Sequence, residues 1–212
     1  MEPFWFVLSP TKDDPSLSDH KRNLLTRYQA FLGVFFPFFF LSSFAREKLG
    51  MGYEDSLDLT LVLNGIGFVG RLMPSLLARY LGTFNVFIGF LWCTSVCMFT
   101  WIPVHDTPGL YVWTTFYSLS VGGVQSLFLA VVPIINSDMN KMGARLGIIS
   151  AAVGIGALLG SPVAGAIISS NDGSYTGAQI FSGCVLAVGG ALTLGARDVR
   201  RRQKGEGMMM KL

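Results

Sequence analysis

LGIISAAVGIGALLGSPVAGAIIS, residues Leu146–Ser169, decides the fold: 24 residues pass without one charged side chain. A membrane helix needs about 20 mostly apolar residues to cross about 30 Å of hydrocarbon. A barrel strand would be about 10 residues long with period-two alternation, and this run is longer and does not alternate. Outward from it, five more runs of the same kind occupy Tyr28–Ala45, Leu57–Leu77, Asn85–Val104, Leu110–Ile135 and Thr176–Ala196. The expectation is an all-α, polytopic membrane protein with six transmembrane helices (28–45, 57–77, 85–104, 110–135, 146–169, 176–196). A polar tail, 1–27, precedes the bundle and a basic tail, 197–212, follows it.

Composition agrees. Of 212 residues 51% are hydrophobic and only 14% are charged, with 25 Gly and 17 Phe; a soluble domain averages roughly 25% charged. So few polar side chains do not cover a globule of this size, and the lipid bilayer supplies the missing cover. A soluble single-core enzyme is excluded, as is a disordered chain. The net charge of +3 does not point to nucleic acid, because the basic residues sit between apolar runs and form no stripe. Residues 1–27 do not read as a signal peptide. Glu2 precedes the short apolar patch Phe4–Leu8, and Pro10, Asp13 and Asp14 follow, leaving neither a basic n-region nor an adequate h-region.

Orientation follows from Lys and Arg in the short loops. With six spans both tails lie on one side, which carries Lys12, Lys21, Arg22, Arg27, Arg79, Lys141, Arg145 and six residues from Arg197 to Lys211, thirteen of the sixteen basic residues. The other side holds Arg46 and Lys48, and Arg71 falls inside a span. Both termini are therefore expected in the cytosol, with the plasma membrane favoured over an organelle.

Candidate chemistry is sparse. Cys93 and Cys97 share a helix face and Cys184 lies in the sixth span; CxxxC is neither a zinc nor a redox spacing, and buried small side chains are expected. His20 and His105 stand alone. No catalytic residue, metal site or cofactor is indicated. Gly154, Gly156 and Gly160 form GxGxxxG inside the fifth span, with the wrong spacing and no preceding strand for a dinucleotide loop. Ser150, Gly154, Ala157, Ser161 and Gly165 instead make a stripe of small residues that suits close helix packing in lipid. Pro162 frees a carbonyl and is expected to bend the helix.

The second span carries the sharper signal. Asn64, Gly67 and Arg71 fall at i, i+3 and i+7 on one face. An Arg at a helix centre costs at least about 2.5 kcal/mol even on the lenient insertion scale, and is tolerated against a partner or a watery cavity. The alternative is snorkelling to the cytosolic headgroups. An Arg facing a cavity suits a carboxylate ligand. Ser118, Gly122 and Gln125 recur similarly in the fourth span, where Gln125 serves interhelical hydrogen bonding or lines a solute path. No Glu lies in any span, and Asp58 stands near the outer end of the second; proton coupling has no clear intramembrane carboxylate to use.

From Tyr28 to Arg197 the chain resembles the C-terminal six-helix half of a major facilitator superfamily transporter, in the monocarboxylate-transporter-like branch. NGIGFVGRLMPSLLARYLGTFNV (Asn64–Val86) matches at Gly70, Arg71, Pro74, Gly82, Phe84 and Asn85. SDMNKMGARLGIISAAVGIGALLGSPVAGAI (Ser137–Ile167) matches at Asp138, Gly143, Arg145, Gly147, Gly160, Pro162 and Gly165, and TGAQIFSG (Thr176–Gly183) resembles the usual opening of the last helix. Two departures stand out. Ser75, Arg79, Tyr80 and Thr83 replace the Gly, Asp and basic residues of the superfamily's loop after this helix, and Gly67 stands where monocarboxylate carriers tend to place an Asp.

The resemblance implies movement of a small organic anion, a monocarboxylate, by alternating access. Arg71 is then the anion contact and Asn64 and Gln125 polar lining. Gly154, Gly156, Gly160, Pro162 and Gly165 permit close packing during rocking, and Asp138 with Arg145 shapes the cytosolic loop as an ion pair. The superfamily has twelve helices, with the solute path between its halves, so the expected partner is an N-terminal six-helix half or a parallel second copy. The alternative is a truncated half-transporter without transport of its own, serving as a membrane subunit or persisting as a vestigial fragment.

Overall fold

Six helices and no strand make up the described residues, 33–135 and 142–204, of the computed structural model. They are α1 (Phe36–Leu49), α2 (Tyr53–Leu81), α3 (Thr83–Thr100), α4 (Thr107–Ile135), α5 (Met142–Ser170) and α6 (Thr176–Lys204). Four stretches among the described residues are long and apolar enough to cross a membrane: Tyr53–Leu81, Thr83–Thr100, Val153–Ser170 and Thr176–Gly195.

The helices overrun the apolar windows. Polar residues end a hydropathy window, but they do not stop backbone hydrogen bonding. α2 starts at Tyr53 and continues to Leu81, α5 starts at Met142, and α6 continues to Lys204. The loop expected after the second span therefore shrinks to Gly82, and Arg79 and Tyr80 ride on the last turn of α2. Gly82 has φ 83° and its N–H still bonds the Ala78 carbonyl at 3.0 Å; the positive φ favours glycine at this one-residue corner. α3 is shorter than its window, ending at Thr100, where Trp101–Pro103 form a turn. Residues 1–32, 136–141 and 205–212 lie outside the described part, so the N-terminal tail, the start of the first span and the end of the C-terminal tail fall there.

Local sequence sets the other helix ends. Gly50 closes α1 in the left-handed conformation at φ 63°, and Met51 N–H reaches back to the Ala45 carbonyl at 3.2 Å, a glycine-based stop. Asp106 caps α4: its Oδ2 accepts from Gly109 N–H at 3.0 Å, taking up one of the donors that the first turn leaves unpaired.

Aromatic rings fill the core towards the end where α1 stops. Trp101 stacks on Trp113 with centroids 4.4 Å apart, Trp113 stacks on Tyr117 at 5.0 Å, and Phe44 meets Trp101 and Tyr175 edge-on. Two of the polar tips find backbone partners, while the buried Trp101 Nε1 has none among the described residues. Tyr117 donates to the Val34 carbonyl at 2.6 Å and Trp113 Nε1 to the Cys97 carbonyl at 2.6 Å, as buried aromatic heteroatoms usually do. α3 and α6 run antiparallel: Ser95 donates to the Gly183 carbonyl at 3.0 Å, and Gly190 makes room for Trp92 further along.

Candidate transport site at the crossing of α2 and α4

α2 and α4 lie side by side and run the same way. Tyr111 reaches the Asp55 carbonyl near their starts, and Arg71 meets Gln125 two-thirds of the way along. Between these points the two sequence stripes face each other. A methyl group added at Gly70 would lie 2.7 Å from the Leu119 carbonyl oxygen, and one at Gly122 2.5 Å from the Gly67 carbonyl oxygen. Backbones therefore touch where side chains are absent, the arrangement small residues permit in lipid. Pro74 lacks an N–H, so it leaves the Gly70 carbonyl without its helical donor at this same level.

One turn beyond, Arg71 Nη2 donates to Gln125 Oε1 at 2.8 Å. α2 has 29 residues, so Arg71 lies about 6 Å along the axis from the helix midpoint at 1.5 Å per residue. The guanidinium carries five N–H donors. Among the described residues Gln125 takes one and no carboxylate pairs with it. Arg71 is exposed on the bundle surface, flanked along α2 by the exposed apolar residues Phe68, Leu72 and Met73.

Asn64 lies about 10 Å up the same face, exposed, with Nδ2 tied to the Thr60 carbonyl at 2.9 Å. Its Oδ1 remains as an acceptor. Of the three expected lining residues, Arg71 and Gln125 meet directly and Asn64 does not touch them.

The fifth-span stripe is displaced from where the sequence put it. Ser150 and Gly154 are exposed, and a methyl at Gly154 would meet nothing within 4 Å; Gly165 approaches only Phe40, at 3.7 Å. The buried face of α5 is instead Gly156, Gly160 and Ala164, while Pro162 points outward. The reason is geometric: in GxGxxxG both registers are lined with small residues, so spacing alone does not choose between them. Asp138 lies outside the described residues and Arg145 falls on the first turn of α5 rather than in a loop. Cys93 and Cys184 are exposed rather than buried, and Cys97 is half-buried; all three are free.

The sequence reading gave no role to a second polar group, at the end where α1 stops. Tyr175, buried at 4% exposure, donates to Glu47 Oε2 at 2.7 Å. Burial first, then the Glu47 carboxylate, pushes the Tyr175 phenol well above its ordinary range. Charge spacing along the chain does not reveal this contact, because the partners are 128 residues apart.

Apolar helices of this length support an integral membrane protein. No protein-family model matches the chain. Over 169 residues it is 34% identical to an MFS-type transporter of Gibberella zeae, covering 79% of this chain and 38% of that protein. It is 31% identical over 181 residues to the MFS-type transporter opdF of Penicillium oxalicum, covering 85% and 42%. It is also 28% identical over 177 residues to the aspyridones efflux protein apdF of Emericella nidulans, covering 84% and 36%. The chain thus spans about two fifths of the length of the curated relatives it matches. Relatives named MFS-type transporters support the major facilitator superfamily and an integral membrane protein.

Proposed function

We propose that this chain forms one six-helix unit, the C-terminal one, of a major facilitator superfamily transporter of the monocarboxylate-transporter-like branch, and that it moves a small organic anion, a monocarboxylate, by alternating access. One observation carries the reading: the Arg71 guanidinium sits close to the middle of a long apolar helix and is held by Gln125 at 2.8 Å rather than by a carboxylate. Such a cation is costly in a membrane unless it has a partner or a watery path. A neutral amide orients it without cancelling its charge, which leaves that charge for a solute carboxylate. Asn64 Oδ1 adds an acceptor for a solute hydroxyl further along the face.

The path in such folds runs between two six-helix units. The proposal therefore includes a second unit, either another part of the same polypeptide or a parallel second copy. The exposed apolar side chains of α2 and α5, Leu61, Leu76, Leu158 and Leu159 among them, meet lipid or that unit. Both termini lie in the cytosol of a plasma-membrane protein, as the excess of Lys and Arg on one side favours.

Radiolabelled lactate uptake into proteoliposomes tests this. Uptake is expected above the empty-vesicle level, to fall about a hundredfold in Arg71→Ala and about tenfold in Arg71→Lys, which keeps the charge and loses the planar fork. Equal uptake in wild type and Arg71→Ala rules out Arg71 as the anion contact. Uptake of the wild type at the empty-vesicle level overturns transport by a parallel second copy and leaves a unit that does not transport by itself.

A further inference from the structure

Where α1, the α3–α4 connection and the start of α6 converge, they enclose a cavity of about 260 Å³, at the end of the bundle away from Gly82. Phe44, Leu49, Ile102 and Val104 give it apolar walls. Its polar lining comes from Lys48, His105, Ser174, Thr176 and Gln179. It lies far along the bundle from the Arg71–Gln125 crossing, since α2 begins at this end with Tyr53 and reaches Arg71 only after about 27 Å of helix.

Two groups of this lining, the Gln179 amide N–H and the Lys48 ammonium, are donors with no partner among the described residues. Gln179 is 2% exposed and its Nε2 has no hydrogen-bond partner, a costly state for a buried amide. Lys48 brings an ammonium. The first turn of α6 borders the cavity through Thr176, and a helix start offers unpaired N–H groups and the positive end of the dipole. The neighbouring carboxylate, Glu47, is already engaged by the Tyr175 hydroxyl, which therefore has no proton left to give the cavity. A ligand that satisfies this lining carries negative oxygen at one end and an apolar body at the other.

We infer that this cavity is a second anion site, a receiving pocket for a small carboxylate with an apolar body, separate from the Arg71 site. Its ligand class rests on the transport reading, while its position rests on the cavity alone. Carboxylate oxygens take the Gln179 amide and the α6 start, Lys48 covers their charge, and Phe44 and Ile102 face the hydrocarbon part.

Equilibrium binding of radiolabelled benzoate to the purified full chain, with benzamide as the neutral counterpart, tests the assignment. Two benzoate sites are expected in wild type and one in Arg71→Ala. In that background Lys48→Gln and Gln179→Leu each weaken the remaining site about tenfold, Lys48→Arg retains it, and benzamide binds about tenfold more weakly than benzoate. Lys48 is exposed, so its replacement leaves folding intact even if Gln179→Leu does not. Benzoate binding unchanged by Lys48→Gln in the Arg71→Ala background, or matched by benzamide, overturns the second site. A single site in wild type that Lys48→Gln abolishes and Arg71→Ala leaves untouched overturns the Arg71 reading and keeps this one.

Discussion

At the scale of single residues, two glycines and one arginine account for the site. Gly70 and Gly122 matter through the side chains they lack, because a β-carbon on either would lie within 2.7 Å of backbone on the facing helix. Gly122→Ala must therefore push α2 and α4 apart, and is expected to cost about 1–3 kcal/mol as an overpacked contact. Gly154→Ala, with open space around it, is expected to stay within about 0.5 kcal/mol. Thermal unfolding in detergent compares the two, and equal losses would contradict the close crossing. The sequence showed that Gly67, Arg71, Gly122 and Gln125 each lay on a helix face. It did not show that the two faces meet, since pairing of α2 with α4 skips the intervening α3.

Tyr175 gives a pH signature at the same scale. Its folded phenol titrates above the ordinary value of about 10, because burial and then Glu47 favour the neutral form. A pKa raised on folding contributes stability that is fully present below the unfolded value and is lost as pH rises towards the folded one. The melting temperature is thus expected to be insensitive to this group up to about pH 10 and to fall above it, with a shallower fall in Tyr175→Phe. A fall of the same steepness in the variant contradicts the assignment.

At the scale of elements, the start of α4 owes its place to a single cap. α4 starts at Thr107 because Asp106 accepts the Gly109 N–H. Asp106→Ala is expected to lose about 1 kcal/mol and Asp106→Asn little, as N-cap series behave; denaturation midpoints of the two variants check this. Element existence was legible from long uncharged runs such as Leu146–Ser169. Element ends were less so, because Arg79 and Tyr80 extend α2 while ending its apolar window. The face that α5 buries was not legible either: Gly154 and Gly156 are equally small, and the choice of Gly156 depends on neighbours that a local pattern does not contain.

For the whole molecule, the consequence is a division of labour along the bundle. Aromatic stacking and the Glu47–Tyr175 bond consolidate one end, while a glycine-lined crossing sets a single cation against an amide nearer the middle. Charge bias reads as orientation and apolar length as span. Only the packing of α2 on α4 gives Arg71 its partner, Gln125. The most direct measurement is a double-mutant cycle on lactate uptake with Arg71→Lys, Gln125→Ala and the two combined. If the amide works by orienting the guanidinium, the double variant transports about as well as Arg71→Lys alone, a coupling of about 1–2 kcal/mol. Losses that simply multiply would mean that Arg71 and Gln125 act independently, and the account of the site would be wrong.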